Sequence, residues 1–250
     1  MIQLKSQREI EIMARGGKIL AETVKLMERS VHPGMTTAEL DTIAEDFIRS
    51  HPGATPSFKG LYNFPASICS SINHEIVHGI PSKKRVLYEG DVVSIDVGVL
   101  YEGYHTDSAT TVAVGAVNEE SRRLLGVTRE ALDAGVALAR AGNHLGDIGA
   151  AIQAVVEAAG FSVVRDLVGH GIGTGFHEEP QVPNYGKPNR GIRLVPGLTI
   201  AIEPMVNVGK PGIRTMPDKW TVVTIDGKRS AHFEHTVAIT ENGPRILTAA

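Results

Sequence analysis

Apolar residues recur at helical spacing in the first fifty residues. Ile10, Met13, Leu20, Val24 and Met27 fall close to the period of one helix face. Ser6-x-x-Glu9 opens this stretch as a capping box, in which each side chain satisfies a free backbone amide of the first turn. His32-Pro33-Gly34 closes it. A second capping box, Thr36-x-x-Glu39, starts a helix whose apolar face carries Leu40, Ile43, Ala44, Phe47 and Ile48, and His51-Pro52-Gly53 stops it. Residues 54 to 90 are turn-rich with few periodic signals. Two strand-like runs follow, Val92 to Leu100 and about Thr106 to Val114. The second half predicts a helix from about Glu119 to Arg140, a break at Ala141-Gly142, a helix to about Ala159, and strands over Leu198 to Val208, Trp220 to Ile225 and Phe233 to Thr240.

Both halves therefore read helix, helix, loop, strand, strand, and the match reaches single residues. Gly34 precedes Leu40, and Gly142 precedes Ile148, by six positions; Gly90 precedes Asp96, and Gly197 precedes Glu203, by six as well. VHGIP at 77 to 81 resembles GHGIG at 169 to 173. DSATTVAV after Thr106 resembles EHTVAI after Phe233. Repetition in the same order implies duplication, and two similar halves about a pseudo-twofold axis would set Asp96 and Asp107 across one cleft from Glu203 and Glu234. One catalytic domain over 1–250 is expected, with halves of about 1–115 and 116–250.

Composition narrows the class. The 250 residues are 42% hydrophobic, enough for a large core. The net charge of -3, from 25 basic and 28 acidic residues well interspersed, argues against nucleic-acid sequence recognition. Cys69 is the one cysteine, so no intrachain disulfide forms. The first residues lack the apolar run of a signal peptide, and no stretch approaches the roughly 20 apolar residues of a membrane span. A cytoplasmic protein with no membrane contact is expected.

Asp96 lies within VVSIDVGV and Glu203 within LTIAIEPM, and a carboxylate in a buried strand is costly unless paired or metal-bound. An isolated case would be paired with Arg or Lys, or turned outward. Here four carboxylates recur at symmetric places beside His170 in a glycine-rich loop, with no cation near Asp96 or Glu203 in sequence. Asp96, Asp107, His170, Glu203 and Glu234 suit two divalent ions about 3.5–4 Å apart. Hard oxygens with one imidazole permit Mn, Fe, Co or Zn without choosing among them. His78 and His177 fill no symmetric ligand position and suit acid or hydrogen-bonding roles. His51, His105, His144, His232 and His235 are expected to be structural or surface residues; His74 is ambiguous. Cys69 has no local general base and reads as a buried side chain. The glycines from 169 to 175 lack a phosphate-loop signature.

Together IDVGVLYEGYHTDSA, GHGIG, GFHEEPQVPNY, AIEPMV and EHTVAIT resemble the type I methionine aminopeptidases over essentially the whole chain. The resemblance implies an α+β pita-bread fold, two pseudo-symmetric halves with helices on antiparallel sheet. It implies that Asp96 chelates one ion, that Asp107 and Glu234 bridge, and that His170 and Glu203 bind the other. Water activated at the metal pair would attack the scissile carbonyl, with Glu203 accepting its proton. His177 would bond the developing oxyanion and His78 the scissile amide nitrogen. Phe64, Cys69, Phe176 and Trp220 would form an apolar pocket for methionine, whose sulfur suits aromatic walls. Leu61 and Phe64 stand where many relatives carry tyrosine.

The implied activity is removal of initiator methionine from nascent polypeptides, with preference for a small second residue. The protein is expected to be a monomer, and the ribosome is a candidate partner. Two rivals are another pita-bread aminopeptidase or dipeptidase, and a non-catalytic peptide- or ribosome-binding protein on the same fold. The first usually carries a large N-terminal domain, and the second typically loses metal ligands that are all present here.

Overall fold

Ser6 caps the first helix as its spacing predicts. In the computed structural model, which describes residues 2–249, the Ser6 hydroxyl accepts from the Glu9 amide at 3.4 Å and the Glu9 carboxylate accepts from the Ser6 amide at 2.7 Å. This begins α1 (Gln7–Ser30). The same exchange between Thr36 and Glu39, at 3.3 and 2.7 Å, begins α2 (Thr37–Arg49). Asn118 caps α3 (Glu119–Leu138) by accepting from the Ser121 amide at 2.9 Å. Asp147 folds back on the His144 amide at 2.6 Å to open α4 (Leu145–Ala158).

The strands in chain order are β1 (Ala54–Pro56), β2 (Ile68–Ile72), β3 (Glu75–Val77), β4 (Val92–Tyr101), β5 (Tyr104–Ala113), β6 (Ser162–Val163), β7 (Gly169–Gly171), β8 (Glu178–Val182), β9 (Thr199–Ile202), β10 (Met205–Asn207), β11 (Ile213–Thr215), β12 (Val222–Thr224), β13 (Ser230–His232), β14 (His235–Thr240) and β15 (Gly243–Ile246). β4 is central to the first sheet, pairing with β1, β2 and β5. The second half builds a five-stranded sheet in the order β15-β14-β9-β7-β8 and a three-stranded one in the order β13-β10-β6. β3 crosses to pair with β12. Every pairing is antiparallel, and the α+β class holds.

Each pair of helices buries its apolar stripe on its own sheet. Leu20, Met27, Leu40, Ala44 and Ile48 pack on Val93, Ile95, Val97 and Val99 of β4. Leu124, Ala131, Leu132, Ile148, Ile152 and Val156 pack on Ile200, Ile202, Val237 and Ile239. A third cluster, including Met13, Phe58, Phe64, Cys69, Ile172 and Phe176, lies between them.

Hydroxyl side chains stitch the two halves together. Ser108 donates to the Glu234 carbonyl at 2.8 Å, and the Glu234 amide donates to the Ala109 carbonyl at 2.9 Å. The Thr236 hydroxyl accepts from the Asp107 amide at 2.9 Å and donates to the Asp107 carbonyl at 2.8 Å. Thr111 does the same for the His232 amide and carbonyl, at 2.9 and 2.8 Å.

Three expectations need correction. The run Leu198 to Val208 is two strands in different sheets, because Pro204 has no amide to continue a ladder. The strand expected from Phe233 begins at His235. The stretch from 54 to 90 holds β1, β2 and β3, too short and too rich in Ser, Asn and Gly to show a period. Among the described residues, no helix is long and apolar enough to cross a membrane.

Candidate metal and peptide site

Strand register places the first two carboxylates. In the β4–β5 hairpin, Asp96 pairs with Ala109 and Gly98 with Asp107. Alternation along a strand puts residues two apart on one face, so Asp96 and Asp107 are diagonal neighbours on the same side. Cys69 of β2 pairs with Asp96 from the other edge and shares that face. Gly98 keeps it clear: a Cβ there would lie 2.7 Å from Phe58 and 2.8 Å from the Ser57 side chain.

The other two carboxylates come from interruptions. Glu203 follows the end of β9, where the Asn184 amide group holds its carbonyl at 3.0 Å. Glu234 occupies the gap between β13 and β14. His170 sits on β7 with Nδ1 2.8 Å from the Gly171 carbonyl. A carbonyl only accepts, so Nδ1 carries the proton and Nε2 presents a lone pair. That Nε2 lies 3.8 Å from Asp107 Oδ2 and 3.7 Å from Glu203 Oε1. Asp107, His170 and Glu234 each offer one donor atom within 4.8 Å of the others.

The electrostatics of this cage are unbalanced. Asp96, Asp107 and Glu234 are buried, and the Glu203 side chain is 13% exposed. Among the described residues, the ion-pair contacts of the four carboxylates are to histidines alone. Burial raises Asp96 to about 6 and Glu203 to about 8. It raises Asp107 and Glu234 well above the carboxylate range, with the neighbouring carboxylates adding to the shift. Asp96 Oδ1, Asp107 Oδ1 and Glu234 Oε1 are buried without a hydrogen-bond partner. Such groups are costly unless a cation compensates them. Hard oxygen donors beside one free imidazole nitrogen fit divalent metal ions.

The cage lines a cleft with an apolar wall. Phe58 packs edge-on against Phe176 at 5.3 Å, and Phe64 against Trp220 at 5.0 Å. Cys69 is buried, and its thiol is held protonated by burial and by Asp96 and Asp107. His78 reaches the cleft from a left-handed backbone, φ 59°. A strained non-glycine conformation of this kind is retained where the surroundings over-determine it. Gly79 follows because a Cβ there would strike the Ser70 carbonyl at 2.2 Å. Burial lowers His78 to about 4. His177 stands at the rim, its ring 4.4 Å from that of His170.

All of the residues singled out from the sequence line this one cleft: Phe64, Cys69, His78, Asp96, Asp107, His170, Phe176, His177, Glu203, Trp220 and Glu234. Two neighbours were missed. His232, expected to be structural or at the surface, is 1% exposed with Nε2 3.6 Å from Glu203 Oε2, and neither ring nitrogen makes a hydrogen bond. The repeat carried a signal, since His232 precedes Glu234 by two residues as His105 precedes Asp107. Tyr62 stacks on His177 at 5.8 Å, with its hydroxyl 3.4 Å from Nδ1. A tyrosine does reach the rim, one position from the Leu61 where one is usual.

The chain belongs to metallopeptidase family M24, whose family profile matches residues 11–241. Metal ions are what the cage's uncompensated charge calls for. Within that family it falls among the type I methionine aminopeptidases. It is 55% identical to the methionine aminopeptidase of Clostridium perfringens over 248 residues, covering 99% of both chains. It is 53% identical to methionine aminopeptidase 1 of Bacillus subtilis, again over 99% of both. The crystal structure of methionine aminopeptidase from Thermotoga maritima superposes with a TM-score of 0.98 at 44% identity, covering 100% of each chain. The fold is the pita-bread fold.

Proposed function

We propose that this protein is a methionyl aminopeptidase, a hydrolase that removes N-terminal methionine at a pair of divalent ions. One observation carries the reading: four carboxylates, three of them buried and the fourth nearly so, converge with the free Nε2 of His170 beside an apolar slot, and among the described residues none has a lysine or arginine partner. Four negative charges balance two divalent cations. Asp96, Asp107, His170, Glu203 and Glu234 would together hold the ions; Mn, Fe, Co and Zn all suit these donors. When bound, the ions supply positive charge that polarises the scissile carbonyl and acidifies a water.

The chain's own residues supply the rest. Glu203 takes the proton of the attacking water and passes it to the departing amine. The Tyr62 hydroxyl donates to His177 Nδ1, leaving Nε2–H to bond the carbonyl oxygen as it gains charge. His78 contacts the scissile amide. The methionine side chain enters between Phe64, Cys69, Phe176 and Trp220, whose aromatic edges and thiol suit a thioether. The substrate's free amine faces the acidic cage, which limits cleavage to the first residue. Nascent polypeptides in the cytoplasm are the source of such termini, and a small second residue is preferred. Residues 1–250 act as one catalytic unit.

The test uses metal-reconstituted protein and the peptides Met-Gly-Met-Met, Leu-Gly-Met-Met and acetyl-Met-Gly-Met-Met. Methionine should be released from the first alone, lost on chelation and restored by divalent ion. Folded, metal-loaded protein that cleaves none of them would be a peptide-binding protein instead.

A further inference from the structure

We propose that Lys5 and Glu178, 173 residues apart, are a positioning pair that holds the loop bearing Phe176 and His177 against the cleft. The inference rests on the role proposed for His177. Lys5 lies just before α1 and is nearly enclosed, its side chain 4% exposed and that of Glu178 11% exposed. Lys5 Nζ donates to Glu178 Oε2 and, at 3.1 Å, to the Gln3 carbonyl. The Lys5 amide donates to the Gly197 carbonyl at 2.7 Å, which anchors this end of the clamp to the turn before β9.

From the other side, Glu178 Oε1 accepts from the Gly175 amide at 2.9 Å. Gly173 donates to the Gly175 carbonyl at 3.0 Å and accepts from the His105 amide at 2.8 Å. A Cβ on Gly173 would lie 2.3 Å from Lys5 Cε and 2.8 Å from Glu178 Oε1. The loop thus closes directly on the ion pair. Gly171, Gly173 and Gly175 give this segment little stiffness of its own. Apolar packing would hold such a loop at many angles, whereas a buried charge pair is satisfied in few. Buried ion pairs contribute little to net stability compared with apolar replacements, so geometry is what this one supplies. His177, adjacent to Glu178, receives it.

The test removes both charges together with Lys5→Met/Glu178→Gln, which leaves no buried charge uncompensated and keeps an acceptor for the Gly175 amide. Amide exchange over 173–178 should quicken at least about tenfold while 199–202 is unchanged. The kcat on Met-Gly-Met-Met should fall about tenfold, as small misplacements of reacting groups do, with KM changed less than about twofold and metal affinity unaltered. In a His177→Ala background the same change should cost less than about twofold in kcat. Unchanged exchange at 173–178 overturns the inference, as does an equal loss of kcat in both backgrounds. If the double variant fails to fold, Glu178→Gln alone enters the same cycle. Absent turnover in the unsubstituted protein would refute the proposed activity, while the exchange result would still decide the clamp.

Discussion

The two halves deliver their carboxylates in opposite ways. The first half presents short aspartates from an uninterrupted hairpin, where register with Ala109 and Gly98 fixes Asp96 and Asp107. The second half presents longer glutamates from gaps, Glu203 where the chain leaves one sheet for another and Glu234 between β13 and β14. A regular strand gives rigidity and allows little reach. A gap gives reach and needs outside support, which Asn184 supplies for Glu203 and Ser108 with Ala109 supply for Glu234.

The strongest way to break this contrast is to remove the proposed proton acceptor. Glu203→Gln should lower kcat by about 10²–10⁴-fold while circular dichroism shows the fold intact; near-normal turnover would dismiss its assigned role. Side-chain length sharpens the contrast next. Asp107→Glu adds a methylene where the hairpin has no slack and should cost about 10²-fold in kcat/KM. Glu203→Asp, in a gap that can shift, should cost about tenfold less than that. Equal losses would mean that strand and gap are equally rigid.

Titration separates the halves by pH. In the ion-free protein, burial holds protons on Asp96 up to about pH 6 and on Glu203 up to about pH 8, whereas the unfolded chain releases them near about pH 4. On these two groups the folded state binds more protons across that interval, so their contribution to stability should fall as pH rises, by on the order of a few kcal/mol, while His78 and His170, lowered to about 4 by burial, contribute in the opposite sense. Urea unfolding with chelator at pH 5 and pH 8, compared between the parent and single variants, isolates the carboxylate part. Asp96→Asn should remove the lower part of that fall and Glu203→Gln the upper part. A pH dependence that neither substitution changes would contradict the buried, uncompensated cage. The smallest effect belongs to the seam. Thr236→Val leaves the Asp107 amide unpaired and should cost about 1–3 kcal/mol by urea unfolding; no loss would mean that water replaces the hydroxyl.

Local signals carried most of what was readable. Both capping boxes are formed as spaced, and β4 and β5 lie within two residues of the runs that predicted them. The cage was legible because a carboxylate inside an apolar run is conspicuous, and because the run recurs. Less was visible where a fold depends on partners far away. β3 exists through its pairing with β12. The split of the run after Leu198 turns on Pro204, whose effect a hydrophobic count does not register. Tyr62 reaches His177 from a left-handed turn, φ 49°, and Lys5 meets Glu178 across most of the chain. His232 was overlooked because a histidine beside a glutamate motif is judged by its neighbours in sequence, while its partner is Glu203.

The hydroxyl seam also sets when the protein becomes active. Its hydrogen bonds join residues 121 to 129 apart, and closing such long loops is slow and entropically expensive until the cores at either end exist. The proposed metal donors come from both sides of that seam. A half-folded chain can thus hold secondary structure and still lack a peptide-cutting centre. Hydrolytic capacity arrives last, only in molecules that have finished folding.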